Sequence, residues 1–227
     1  KGNIWVGTYF GGVNYFSPQH DDYTNFNYEG LAPKGLYHSY INSLVLDRDG
    51  GIWFGTDGAG VCCINRHLEI LKQITAGDGP NSLRQNNIKC LAYDTPSNRL
   101  FIGTHLGGVS VYDLDKGTTL NLIEHPAYKD AGQTIHDIKI HGDRLYIAAR
   151  EGLSYIDLRA NPMTVTKIKT GIVPYRFDFD AEGNMYASTR FFNGVYKISG
   201  LDSENPEAKI FAKHGKYASL ATSVCCN

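Results

Sequence analysis

A five-residue motif repeats along the chain at nearly constant spacing. Ile4-Trp5-Val6-Gly7-Thr8 recurs as Ile52-Trp53-Phe54-Gly55-Thr56 and as Leu100-Phe101-Ile102-Gly103-Thr104. It then weakens to Leu145-Tyr146-Ile147-Ala148-Ala149 and Met185-Tyr186-Ala187-Ser188-Thr189. The aromatic position advances by 48 (5 to 53), 48 (53 to 101), 45 (101 to 146) and 40 (146 to 186) residues. Each copy is followed by a glycine and an aliphatic residue: Gly12-Val13, Gly60-Val61, Gly108-Val109, Gly152-Leu153 and Gly194-Val195. A repeat of this length restricts the chain to architectures that reiterate one supersecondary unit.

The unit reads as four short strands. In the second copy they fall at about 40–46, 51–56, 60–65 and 68–74, with Asp49-Gly50 in the first hairpin turn. No stretch sustains the 3.6-residue apolar period of a helix. A four-stranded sheet recurring every ~40–50 residues is the mark of a β-propeller blade. The expected fold is therefore all-β: a β-propeller of about five four-stranded blades, as a closed ring or an arc of a larger propeller. The blades centre on 1–28, 40–74, 87–123, 134–169 and 174–213, with a last strand at 217–226. Ala221 to Asn227 align under Ile41 to Asp47, so this strand either completes the first blade or begins a sixth. The amino terminus opens inside a motif, which favours an arc. Trp5, Trp53, Phe101, Tyr146 and Tyr186 are expected to pack between blades, one ring per unit.

Charge excludes one large class of partner. With 22 Lys+Arg against 23 Asp+Glu among 227 residues, no polycationic surface is available, so nucleic acid is not an expected partner. No apolar run approaches the ~18 residues of a membrane span, so direct membrane insertion is not expected either. The five cysteines include two adjacent pairs, Cys62-Cys63 and Cys225-Cys226. Neighbours on a strand point to opposite faces, which makes such a pair a poor chelator; small buried apolar residues are the expectation.

Asp47-Arg48-Asp49-Gly50-Gly51-Ile52-Trp53-Phe54-Gly55-Thr56, followed by Gly60-Val61, closely resembles the two-component regulator propeller repeat. Lys1 to Val13 and Ile88 to Val109 match well, whereas 135–156 and 175–198 have lost the tryptophan and the Gly-Thr. The resemblance implies an extracytoplasmic, periplasmic sensor region of a membrane-bound hybrid two-component histidine kinase. It implies an oligosaccharide released from a complex glycan, or another small ligand, as the signal. It also implies the remaining blades or second propeller of a parent chain as partners, and a homodimer formed through the parent sensor.

Motifs for chemistry are absent: the chain has no GxSxG, GxGxxG, GxxxxGK[ST] or HExxH. Asp178-x-Asp180-x-Glu182-Gly183 has Thr189 where a calcium loop needs its bidentate glutamate, so a hairpin turn is expected. Eight histidines are scattered; His38, His105 and His125 are the one cross-blade set considered for a metal. His136 and His141, five apart on one strand, are expected on opposite faces. No catalytic residue, cofactor or metal is assigned.

Ligand contacts are expected in the loops between second and third strands and between blades. The candidates are Tyr9, Phe10, Tyr37, His38, Asp57, Arg84, His105, Arg150, Tyr175, Arg176, Arg190 and Phe191. Flat rings beside arginines, carboxylates and amides suit sugar recognition. Two alternatives remain: a propeller enzyme resembling the streptogramin lyases, with a histidine such as His105 and Glu151 as acid and base, and a purely structural module that docks a second propeller.

Overall fold

The computed structural model describes residues 4–8, 11–18, 22–26, 38, 40–160, 163–189, 194–203 and 205–212. Two compact units divide the chain, Lys1–Asn121 and Leu122–Asn227.

The first unit holds three antiparallel sheets. Strands β1 (Ile4–Gly7), β2 (Val13–Ser17) and β3 (Asp22–Phe26) form the first. The second is β4 (Ile41–Leu46), β5 (Ile52–Thr56), β6 (Val61–Ile64) and β7 (Ile70–Ile74), each within a residue or two of its expected place. The third is β8 (Ile88–Asp94), β9 (Arg99–Thr104), β10 (Val109–Asp113) and β11 (Thr118–Asn121). The second unit opens with two 3-10 turns, Leu122–Glu124 and Pro126–Ala131. Two meanders follow: β12 (Ile135–His141), β13 (Arg144–Ala149), β14 (Gly152–Asp157) and β15 (Val165–Ile168), then β16 (Pro174–Phe179), β17 (Met185–Thr189), β18 (Val195–Ser199) and β19 (Glu207–Ala212). These all-β, sequentially paired sheets are propeller blades. The strand expected at 217–226 lies outside the described residues.

Each position of the repeated motif has a distinct physical job. Trp53 alternates with Phe54 along β5, so the two rings face opposite sides of the sheet. Trp53 is buried with Val61 and Cys63 of its own blade and with Leu91, Leu100, Ile102 and Tyr112 of the next. Phe54 points the other way, into a cluster with Val13, Ile41, Cys62 and Ile64. The indole N–H of Trp53 donates to Asp47 Oδ2 at 2.7 Å, while Oδ1 of the same carboxylate accepts from the Asp49 and Gly51 amides at 2.9 and 2.7 Å. Asp47 thus ties the hairpin turn to the ring that cements the blades.

Gly55 marks a close approach. A Cβ there would lie 2.5 Å from Ile88 Cγ2, and one on Gly7 would lie 2.7 Å from Ile41 Cγ2. At both places the first residue of the next blade's innermost strand fills the space a side chain would need. Gly60 adopts φ +76, and a Cβ would meet the Ile74 carbonyl oxygen at 2.2 Å. Only glycine satisfies both demands at that turn.

The threonine closes the loop between these glycines. Thr56 Oγ1 donates to the Gly60 carbonyl at 2.8 Å and accepts from the Ala59 amide at 2.9 Å. Thr104 repeats this with Gly108 and Gly107 at 2.8 and 2.9 Å, and Thr8 with Gly12 and Gly11 at 3.0 and 2.9 Å. Thr56 and Thr104 are buried. Thr56→Val keeps the volume and leaves the Gly60 carbonyl its bond from the residue-56 backbone amide, but strands the Ala59 amide. It is expected to destabilise the first unit by about 1–3 kcal/mol, read as a lower denaturant midpoint at unchanged slope.

One ring per blade is buried as expected at Trp53, Phe101 and Tyr146. Tyr146 packs against Phe177, Met185 and Phe179 of the following blade. Trp5 and Tyr186 are only half-buried. Trp5 lies 4.4 Å from Tyr15 in its own sheet and packs, as expected, against the cluster that holds Ile41, Phe54 and Ile64 of the next blade; Tyr186 meets Phe211 edge-on at 4.9 Å with Lys197 above its ring.

Cys62 and Cys63 face opposite sides of β6, both buried and unbridged. Burial pushes both thiols up to about 12, with the Asp47 charge adding to the effect on Cys63. At pH 8 on the order of one such thiol in ten thousand is ionised, so alkylation is expected only through unfolding. Labelling of these cysteines with iodoacetamide should rise in step with loss of far-UV dichroism, and fast labelling of the native protein would contradict their burial.

Candidate functional site

Among the described residues, each of the four innermost strands, β4, β8, β12 and β16, carries a β-bulge at the same place. Pairing skips one residue between Ile41 and Ser43, Ile88 and Cys90, Ile135 and Asp137, and Pro174 and Arg176. The extra residues are Asn42, Lys89, His136 and Tyr175. A bulge breaks side-chain alternation and re-aims the side chain it carries, and bulges gather at rims and functional sites.

Two of these bulges form the same inter-blade clasp. In the first unit, Asn42 Nδ2 donates to the Ile88 carbonyl at 2.7 Å, and the next residue, Ser43, accepts from the Leu91 amide at 3.0 Å. In the second unit, His136 Nδ1 lies 3.3 Å from the Pro174 carbonyl, and the next residue, Asp137, accepts from the Phe177 amide at 3.2 Å. Lys89 behaves differently: its ammonium turns back to Asp57 Oδ1, 3.6 Å away in the preceding blade.

In the first unit the inter-blade and β5–β6 loops knit into one patch. The Asp57 amide donates to the Tyr40 carbonyl at 3.0 Å, and the Asn86 carbonyl accepts from the Gly58 and Gly60 amides. The His105 amide donates to the Asn87 carbonyl at 3.0 Å, and the Leu106 amide to Gln85 Oε1 at 2.9 Å. The His38 ring packs over Gly58, 3.2 Å from where a Cβ would stand, and Arg84 packs against Gly107. His38, Asp57, Arg84 and His105 are therefore gathered on one patch, with Arg84 and His105 exposed and His38 and Asp57 half-buried.

In the second unit the patch centres on a buried ion pair. Arg176 Nη1 lies 3.4 Å from Asp137 Oδ1 and its guanidinium lies 5.8 Å from the Tyr175 ring. The Asp137 side chain is 9% exposed against 26% for Arg176. Burial pushes the Asp137 carboxyl above the usual carboxylate range, opposed by Arg176 and by the Phe177 and Ile138 amides. His136 lies 5.1 Å from the Tyr175 ring. The Arg150 amide donates to the Thr134 carbonyl, placing Arg150 at the same end of the blade as His136, and the Glu151 carboxylate lies against Gly132.

His136 and His141 do not face opposite ways. Both meet the same strand of the next blade, His136 at Pro174 and Tyr175 and His141 stacked on Phe179 at 4.3 Å. The bulge at His136 adds one residue to the count and reverses the parity.

Of the expected ligand residues, His38, Asp57, Arg84 and His105 come together in one unit; in the other, Tyr175 and Arg176 adjoin and Arg150 lies at the same end of the preceding blade. Tyr9, Phe10, Tyr37, Arg190 and Phe191 lie outside the described residues. Sequence reasoning missed Asn42, Asn87, Lys89, His136 and Asp137. The signal for them is positional, because the bulged residue recurs at the start of each innermost strand. Among the described residues no three His, Cys, Asp or Glu side chains converge to hold a metal ion.

Comparison with known proteins places this fold in context. The family model described as Two component regulator propeller matches residues 38–58, the segment that carries the Asp47–Trp53 turn and the second Gly-Thr pair, Gly55-Thr56. Among solved structures, one described as the extracellular domain of a hybrid two component system from B. thetaiotaomicron superposes with TM-score 0.70 at 15% identity, covering 96% of this chain and 28% of that one. Another, described as the extracellular domain of a one component system from the same organism, gives TM-score 0.73 at 21% identity, covering 94% and 30%. A catalytically inactive virginiamycin B lyase from Staphylococcus aureus with quinupristin gives TM-score 0.70 at 13% identity, covering 100% and 71%. These likenesses establish the propeller fold. The chain spans about three-tenths of the length of the two ectodomains. No curated protein sequence matches it. Among the described residues no helix is long and apolar enough to cross a membrane.

Proposed function

We propose that this chain is part of the extracytoplasmic, ligand-sensing propeller of a two-component sensor, that it is noncatalytic, and that it binds glycan-derived oligosaccharides. The observation that carries this reading is the regulator-propeller match over 38–58. That segment contributes His38 and Asp57 to a loop patch with Arg84 and His105. The second unit supplies Tyr175 and Arg176, which lie at the start of strand β16 and not in the expected loop, and Arg150 in the turn after β13. Aromatic faces beside cations, carboxylates and amides match the apolar faces and hydroxyls of sugars. Blades of this kind would pass ligand binding to a kinase through the rest of the sensor.

The test is calorimetric titration of the 227-residue chain with neutral glucan, xylan, mannan and arabinan oligosaccharides and an acidic galacturonan oligosaccharide. Saturable binding of at least one of them is expected. Binding of none, with a different ligand class active, overturns the sugar assignment. A second reading, a lyase, draws support from the full-length superposition on virginiamycin B lyase. It requires turnover of a streptogramin that is lost in His105→Ala or Glu151→Gln, and absence of turnover removes it.

A further inference from the structure

We propose that Asp57, Asn87 and Lys89 form the subsite that reads adjacent hydroxyls of a bound sugar; this rests on the oligosaccharide reading above and assigns it a place. Two side-chain oxygens there, Asp57 Oδ1 and Asn87 Oδ1, are shielded by protein yet have no hydrogen-bond donor among the described residues. They belong to residues paired side by side through an isolated antiparallel bridge. A buried acceptor left unpaired costs about 1–3 kcal/mol. Two of them at one spot on a bulged rim need a reason.

Four backbone amides around them are already engaged. The Asp57 amide is taken by the Tyr40 carbonyl, the Gly58 and Gly60 amides by the Asn86 carbonyl, and the His105 amide by the Asn87 carbonyl. Lys89 stands 3.6 Å from Asp57 Oδ1, an ion-pair distance beyond a good hydrogen bond. It is also the bulged residue of the first unit that does not clasp forward as Asn42 does. The Asp57 and Lys89 side chains keep about a quarter of their surface exposed, so the spot is partly open to solvent. The His38 ring lies over Gly58, the residue that follows Asp57.

The chemistry wanted there is complementary to these groups. Two acceptors ask for two O–H donors, and one ammonium asks for an oxygen acceptor. Neighbouring hydroxyls on a neutral pyranose or furanose supply both roles, since each can donate and accept. An anionic sugar would set its carboxylate against Asp57, so a neutral one is the better fit.

The experiment uses the same oligosaccharide panel with the variants Asn87→Leu and Asp57→Asn, each measured for affinity and for Tm. Asn87→Leu replaces an unsatisfied oxygen by a side chain of similar size. Tm is therefore expected to hold or rise while affinity for a neutral oligosaccharide falls at least about tenfold. Asp57→Asn is expected to weaken binding as well. Affinity within about twofold of wild type in both variants, with wild type binding normally, overturns the subsite and leaves the oligosaccharide reading standing. A fall in Tm for Asn87→Leu also overturns it, because the Asn87 oxygen would then have a structural partner. Preference for the galacturonan oligosaccharide over every neutral one overturns the neutral-sugar assignment. Absence of wild-type binding to the whole panel overturns the oligosaccharide reading, and the subsite with it.

Discussion

Trp53→Ala is expected to cost the first unit about 3–5 kcal/mol, close to the whole stability of a small domain. The indole is buried between two blades, against Leu91, Leu100, Ile102 and Tyr112, so its removal opens a cavity that two sheets line. The same substitution takes the donor from Asp47 Oδ2 and loosens the Asp49-Gly50 turn. Trp53→Phe separates the two effects. It keeps most of the packing and loses only the hydrogen bond, so its cost is expected near 1–2 kcal/mol. Urea unfolding followed by alkylation of Cys62 and Cys63 reads both variants, because these thiols lie in the unit that Trp53 holds together. Equal costs for the two substitutions would show that the turn, not the packing, carries the stability.

Arg176→Leu is expected to destabilise the second unit by about 3 kcal/mol at pH 7 to 8, with the cost shrinking as pH falls towards 4. Arg176 is the cation that faces the buried Asp137 carboxylate at 3.4 Å; Lys139 adds a weaker attraction. The fold already raises the Asp137 pKa by burial, so the folded state holds this proton more tightly than the unfolded chain does. Stability from this group is therefore fullest below the ordinary aspartate value of about 3.9 and is lost as pH rises through the raised folded value. Removing Arg176 raises that value further and enlarges the loss above it. Asp137→Asn in the Arg176→Leu background should restore most of the neutral-pH stability, since the amide oxygen can still accept from the Phe177 N–H. A cost independent of pH would mean that Arg176 acts through packing alone.

The Asp-x-Asp-Gly turn, the Gly-Thr loop and the Gly-Val strand entry were legible because each is settled within about ten residues. Asp47 binds its own turn, Thr56 caps its own loop, and Gly60 needs a positive φ at its own position. The strand pattern of the second blade followed for the same reason. The parity of His136 and His141 was not legible, because a bulge leaves no mark in hydrophobic alternation. Asn87 was equally hidden. Its unpaired oxygen arises only because the amides and carbonyls of the surrounding loops satisfy one another first.

By itself the sequence determined the repeated blade: its period, its meander of short strands, and which residue in each copy turns, caps or packs. Those properties depend on backbone preference and on alternation over a few residues. The tertiary structure alone decided how blades meet. The bulges aim Asn42 and His136 at the next blade, Lys89 turns back to Asp57, and Asp137 is buried with Arg176. Such pairings join residues roughly forty positions apart, and no local propensity encodes them. They are set by packing one sheet against the next, where an added residue in a strand redirects a side chain and the loss of water makes each unpaired polar group costly.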